Sequence, residues 1–162
     1  MAKRRFKVFL DSNVIISGLF SDKGAPRIIL DLLCLGFPFL IGATGQYNLT
    51  EIKRNIIKKM PEVFPLYKEY LPRLNLEIVP LPPSKDLRKL FGHVSDKDMP
   101  VLASAVMWNT DFLVTGDKKD FVKLKVKNKY DFKILSPAEF LDLILPEILK
   151  VLQSERNNLP VA

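Results

Sequence analysis

The chain is poor in the residues on which much enzyme chemistry depends. Its 162 residues include one cysteine, Cys34, and one histidine, His93. A lone cysteine cannot close a disulfide within the chain, and its apolar setting, Leu32-Leu33-Cys34-Leu35, reads as a buried structural thiol. Two such ligands are too few for a Cys/His zinc site. A pair of histidines for acid–base work is excluded, and a Ser-His-Asp triad would have to recruit His93, which reads as a loop or surface residue. Long apolar runs are missing too. Arg27 and Asp31 interrupt one stretch, and Glu139, Asp142 and Glu147 another. None approaches the roughly 20 clean residues that a membrane-spanning helix needs. The basic start, Met1 to Lys7, leads into no apolar signal segment, so a cytoplasmic protein with no membrane partner is expected. Neither a GxGxxG nor a GxxxxGK[ST] pattern follows any candidate strand, which argues against a nucleotide-binding domain.

What remains is carboxylate and positive charge. Apolar residues make up 48% of the chain and charged residues 27%, the balance of a soluble domain with a real core. The net charge of +7 favours encounters with polyanions, without distinguishing nucleic acid from an acidic protein or a membrane surface. Length fits one domain, expected over residues 1–150, with 151–162 as a C-terminal tail frayed from Ser154.

Short apolar runs alternate with helical patterns. Strands are expected at Lys7–Leu10, Phe37–Ile41, Leu76–Val79, Phe112–Thr115 and Phe132–Leu135. Helices are expected at Val14–Leu19, at Pro26–Leu35 with Gly36 as the cap, and from an N-cap at Thr44 to Met60. Others should run from Pro61 to Leu71, Ser84 to Phe91, Ser95 to Trp108 and Asp120 to Leu124. A final helix should begin at Ser136, with Pro137 and Glu139 in its first turn. Such alternation predicts an α/β fold: a three-layer α/β/α sandwich around a central, mainly parallel twisted sheet of four to five strands. Ligands of open sheets bind beyond the carboxyl ends of the strands. Asp11 follows the first strand and Asp117 follows Phe112–Thr115, so both would face one crevice if these strands are neighbours.

Asp11, Glu51, Asp98 and Asp117 stand out by position, although each has an ordinary structural reading. Asp11 could cap a helix, and Asp117 could serve a turn. Asp98 could form a capping box with Ser95, and Glu51 could flank an apolar stripe. As a set they say more. Two carboxylates about 4 Å apart repel by roughly 4 kcal/mol at an effective dielectric near 20, so a cluster calls for a cation or for protonation. Oxygen-only ligands select hard ions such as Mg²⁺ or Mn²⁺, which activate water and polarise phosphoryl groups without a histidine.

Val8-Phe9-Leu10-Asp11-Ser12-Asn13-Val14-Ile15 resembles the opening strand of the PIN-domain family, which delivers a first catalytic aspartate. Thr50-Glu51-Ile52 is similar to the second acidic position, and Asp98-Met99-Pro100-Val101-Leu102-Ala103 resembles the helix of the third. Asp111 to Phe121, with Thr115-Gly116-Asp117, resembles the last motif. The likeness spans about Lys7 to Leu145, and the segment from Pro61 to Gly92 matches no motif. It implies a metal-dependent endoribonuclease, in many members the toxin of a toxin–antitoxin pair, with a small antitoxin protein as partner and a homodimer as assembly. Asp11, Asp98 and Asp117 would then bind the ion, and Glu51 would position or deprotonate the attacking water. Asn13, Thr115 and Asp120 would support the ligands, although Asp120 also reads as a helix cap. Lys118 and Lys119 would contact substrate phosphates. Two rivals stand beside this reading. One is a non-catalytic RNA- or protein-binding module on the same fold. The other is a haloacid-dehalogenase-like phosphatase, which wants an aspartate where Asn13 stands.

Overall fold

Apolar side chains at consecutive positions of β1 (Phe6–Leu10) have to be covered on both faces, and the architecture follows from that demand. The computed structural model describes residues 4–92, 94–117, 121 and 130–160. Its sheet has five strands in the order β3-β2-β1-β4-β5, with β2 at Leu40–Gly45, β3 at Glu77–Val79, β4 at Phe112–Val114 and β5 at Lys133–Leu135. All four pairings are parallel. β1 lies at the centre, with Val8 beside Gly42 on one flank and beside Phe112 on the other.

Seven α-helices are described: α1 (Ser12–Phe20), α2 (Ala25–Cys34), α3 (Gln46–Lys59), α4 (Phe64–Tyr70), α5 (Ser84–Arg88), α6 (Met99–Met107) and α7 (Pro137–Asn157). The strand period of two divides the core. Phe6, Val8, Leu10, Phe112 and Val114 pack into a cluster with Ile15, Leu30, Ile52, Phe140 and Ile144, from α1, α2, α3 and α7. Phe9, Ala43, Leu113 and Ile134 face the opposite cluster with Val101, Leu102 and Ala105 of α6. The result is the expected three-layer α/β/α sandwich.

The local differences have physical causes. The second strand begins at Leu40, because Phe37–Phe39 are taken up by the turn that leaves α2; there Gly36 adopts φ +68° and its N–H reaches the Leu33 carbonyl at 3.1 Å. Thr44 is not the N-cap of the next helix. It is the penultimate residue of β2, and its hydroxyl donates to the Leu10 carbonyl at 2.8 Å, so the helix starts at Gln46 after an N-cap at Gly45. Ser95 opens a turn, with the Asp98 N–H on its carbonyl at 2.9 Å, and α6 proper starts at Met99. The expected helix to Phe91 stops at Arg88. The last helix continues past Ser154 to Asn157, launched by the reciprocal bonds of Ser136 and Glu139 (3.1 and 3.0 Å). The helix expected at Asp120–Leu124 lies outside the described residues but for Phe121, which is buried.

α1 approaches α2 closely because Gly18 has no side chain. A Cβ there would lie 2.5 Å from Leu30 Cδ1 and 3.0 Å from the Pro26 carbonyl oxygen. Gly18→Ala is therefore expected to destabilise the fold by about 1–3 kcal/mol, as overpacked cores do. Thermal unfolding followed by circular dichroism should show a midpoint lowered by several degrees.

Candidate active site

The candidate site lies where the neighbouring strands β1, β2 and β4 end. Register places Leu10 beside Val114, so the chain leaves both strands side by side, and the Asp11 N–H bonds the Val114 carbonyl at 3.0 Å. Asp11 and Asp117 are thereby brought to the same edge of the sheet. Asp11 is buried (5% exposed) and is the N-cap of α1. Its Oδ1 accepts from the Ser12 N–H at 2.8 Å and from Asn48 Nδ2 at 3.3 Å, and its Oδ2 accepts from the Thr115 hydroxyl at 2.8 Å. The helix cap and the crevice carboxylate are one and the same residue.

Burial pushes the Asp11 carboxyl above its ordinary value, while the Thr115 hydroxyl and the Ser12 N–H pull it back; Glu51 and Asp117 push it further up by like-charge repulsion. That repulsion puts Glu51 and Asp117 within electrostatic reach of Asp11. Tyr47, one helical turn before Glu51, adds the remaining acid. Its phenol is raised by burial first and then by Glu51 and Asp98, partly offset by Arg54, with a further push from Asp11. Glu51 and Asp117 thus act electrostatically on Asp11, and Asp98 joins them through Tyr47.

Helix geometry explains two of these placements. Asn48 and Glu51 are three residues apart on α3, so both lie on the face turned to the end of β1. Asp98 is buried (6% exposed) at the N-cap of α6, and its Oδ2 accepts the Ser95 hydroxyl. Asp96, its neighbour in sequence, is exposed. Supporting groups lock the far side. Thr115 Oγ1 accepts the Asp117 N–H at 3.1 Å while donating to Asp11, and Asn13 Oδ1 accepts the Gly116 N–H at 2.9 Å. Lys118, Lys119, Asp120 and His93 lie outside the described residues.

The set of oxygen donors suits Mg²⁺ or Mn²⁺ by its chemistry. Among the described residues, however, no three acidic, histidine or cysteine side chains converge tightly enough to clasp an ion unaided. Such spacing is compatible with Mg²⁺, which keeps several of its waters and takes one or two carboxylates plus substrate phosphates.

Asn48 went unnoticed in the sequence. It is fully buried, donates to Asp11 and to Ser12 Oγ (2.9 Å), and accepts the Gly45 N–H at 3.2 Å. The signal was available: a fully polar asparagine three residues after a glycine at a strand-to-helix junction is the spacing of a capping residue. Assigning the cap to Thr44 hid it.

No protein-family profile matches the chain. An uncharacterized protein of Methanocaldococcus jannaschii is 27% identical over 154 residues, covering 88% of this chain and 94% of that one. Among solved structures, VapBC2 from Rickettsia felis, bound to a DNA fragment from its promoter, matches with a TM-score of 0.61 at 16% identity. The match covers 81% of this chain and 98% of that one. DNA-bound VapBC from Salmonella typhimurium gives 0.61 at 13% identity, covering 82% and 98%. FitAcB from Neisseria gonorrhoeae gives 0.57 at 17%, covering 80% and 97%. At such identities the likeness is one of fold. The chain has the three-layer, PIN-like fold of those structures. Among the described residues, no helix is long and apolar enough to cross a membrane.

Proposed function

We propose that this protein is a divalent-metal-dependent endoribonuclease, acting in the cytoplasm as the toxin of a toxin–antitoxin pair. The observation that carries the reading is Asp11: a buried carboxylate at the end of the central strand, held by three donors, with Glu51 and Asp117 close enough to raise its pKa. A fold has no structural use for like charges gathered around a buried acid, whereas a metal-assisted hydrolase has.

Asp11, Asp98 and Asp117 would hold Mg²⁺ or Mn²⁺. The bound ion would supply Lewis acidity at a phosphoryl oxygen and a water of lowered pKa. The chain's own residues do the remainder. Glu51 orients the attacking water or takes its proton, Thr115 and Asn13 fix the loop that carries Asp117, and Lys118 and Lys119 hold the RNA phosphates. The excess of basic residues makes binding strongly dependent on salt. The likeness to VapBC complexes, in which a PIN-domain toxin is paired with an antitoxin, supports a small antitoxin as partner, and we extend it to a homodimeric assembly.

Cleavage of a mixed set of end-labelled RNAs with Mn²⁺ or Mg²⁺ tests the reading, with EDTA and Asp11→Asn as controls. Cutting that needs the metal and Asp11 is the expected result. The separation of the acids favours one alternative, a module on the same fold that binds RNA or protein without cutting. RNA that is bound but left intact under every metal condition would establish that alternative instead.

A further inference from the structure

The hydrogen bonds around Asp11 can be counted against its lone pairs. A carboxylate oxygen has two acceptor sites. Oδ1 takes the Ser12 N–H at 2.8 Å and Asn48 Nδ2 at 3.3 Å, which fills both. Oδ2 takes the Thr115 hydroxyl at 2.8 Å, and no other described residue donates to it. Among the described residues, one acceptor site of the group is left open, on Oδ2.

The orientation of Asn48 follows from its other bonds. The Gly45 N–H needs an acceptor and finds the Asn48 carbonyl oxygen at 3.2 Å, so the amide nitrogen must point the other way. Its two protons are then both engaged, one by Asp11 and one by Ser12 Oγ at 2.9 Å. The side chain is fully buried, so water cannot substitute for any of these partners. A flipped amide would set an oxygen against the Asp11 carboxylate and a donor against the Gly45 N–H. The network therefore has a single consistent arrangement.

We propose that Asn48 is a positioning residue that closes Oδ1 of Asp11 and leaves Oδ2 as the only oxygen this aspartate offers to a divalent ion. The proposal rests on the metal-dependent reading of the site. Asn48 performs a second task from the same position. It fixes the first turn of α3 to the end of β1, so the helix that carries Glu51 cannot shift along the crevice independently of Asp11. Without Asn48, one acceptor site on Oδ1 is freed, and the carboxylate is no longer held in one orientation toward the ion.

Two measurements test this. Mn²⁺ titration by electron paramagnetic resonance, on the unaltered protein and on Asn48→Leu, should show affinity weakened about 10–100-fold in the variant. Ile144→Ala, in the core of α7 and away from the β2–α3 junction, serves as the control for lost stability and should bind Mn²⁺ like the unaltered protein. A crystal structure of the unaltered protein with Mn²⁺ should place the ion on Oδ2 of Asp11 and off Oδ1, a result that stands even if Asn48→Leu fails to fold. Equal Mn²⁺ affinity in Asn48→Leu, or an ion bound through Oδ1, would overturn the proposal and leave the nuclease reading intact. An unaltered protein that takes no Mn²⁺ in the crevice would overturn both.

Discussion

Asp11→Asn is expected to reduce metal-dependent cleavage by on the order of a thousandfold, about 4 kcal/mol of transition-state stabilisation, consistent with losing a charged ligand from a metal-assisted site. The same substitution should leave the metal-free protein no less stable, and its melting temperature in EDTA should rise. The sign follows from the raised pKa. Asp11 titrates higher in the folded chain than in the unfolded one, so the folded state binds its proton more tightly. The contribution to stability is therefore complete at pH below the unfolded value and is lost as pH rises through the folded value. At neutral pH the metal-free protein carries that loss, and a neutral asparagine removes it. Asn can still accept from Ser12 and Asn48 through its carbonyl oxygen and can turn its amide toward Thr115. A loss of cleavage with no loss of melting temperature would separate a functional charge from a structural one. A melting temperature that falls steeply would mark Asp11 as a structural cap whose activity loss is secondary.

The second large effect concerns the opposite side of the sheet. Phe9→Ala should destabilise the protein by about 3–5 kcal/mol and lower its melting temperature by roughly 10 °C. Phe9 is fully buried between β1 and α6, packed with Leu102, Ala105 and Leu113. Its ring also comes close to Gly45, where a Cβ would sit 3.5 Å from Phe9 Cζ. Emptying that space would let the β2–α3 junction settle into the void, and that junction carries both Asn48 and Glu51. The structural loss should therefore be accompanied by weaker Mn²⁺ binding, even though Phe9 is on the apolar side of its strand. Differential scanning calorimetry, paired with metal titration below the transition, would show both.

Much of the architecture was legible because strands covered on both faces must be apolar at consecutive positions, and Val8-Phe9-Leu10 and Phe112-Leu113-Val114 are. Their adjacency was a conditional expectation, and the register Leu10 to Val114 fulfils it. The junction after β2 was not legible. Thr44 has the residue type of a cap, and only the parallel neighbour β1 shows that its hydroxyl is spent on the Leu10 carbonyl. A bond between residues 34 positions apart leaves no local trace in the sequence. Asn48 does have a local trace in its spacing from Gly45, but its bonds to Asp11 and Ser12, in another strand-to-helix turn, have none. The helix-like sequence that follows it picks out Asp98, which is buried while Asp96 is exposed.

The central place of β1 has a consequence for synthesis. The strand that delivers Asp11 is made about a hundred residues before its neighbour β4, which starts at Phe112, and the Thr115 N–H is bonded to Leu135 of the strand after that. Contacts so distant in sequence cannot form until β4 and β5 have been made. A nascent chain therefore carries Asp11 and Glu51 without Asp117 or the hydroxyl that holds Asp11 in place. If the protein is the ribonuclease proposed above, the site stays incomplete until β4 and β5 have joined the sheet.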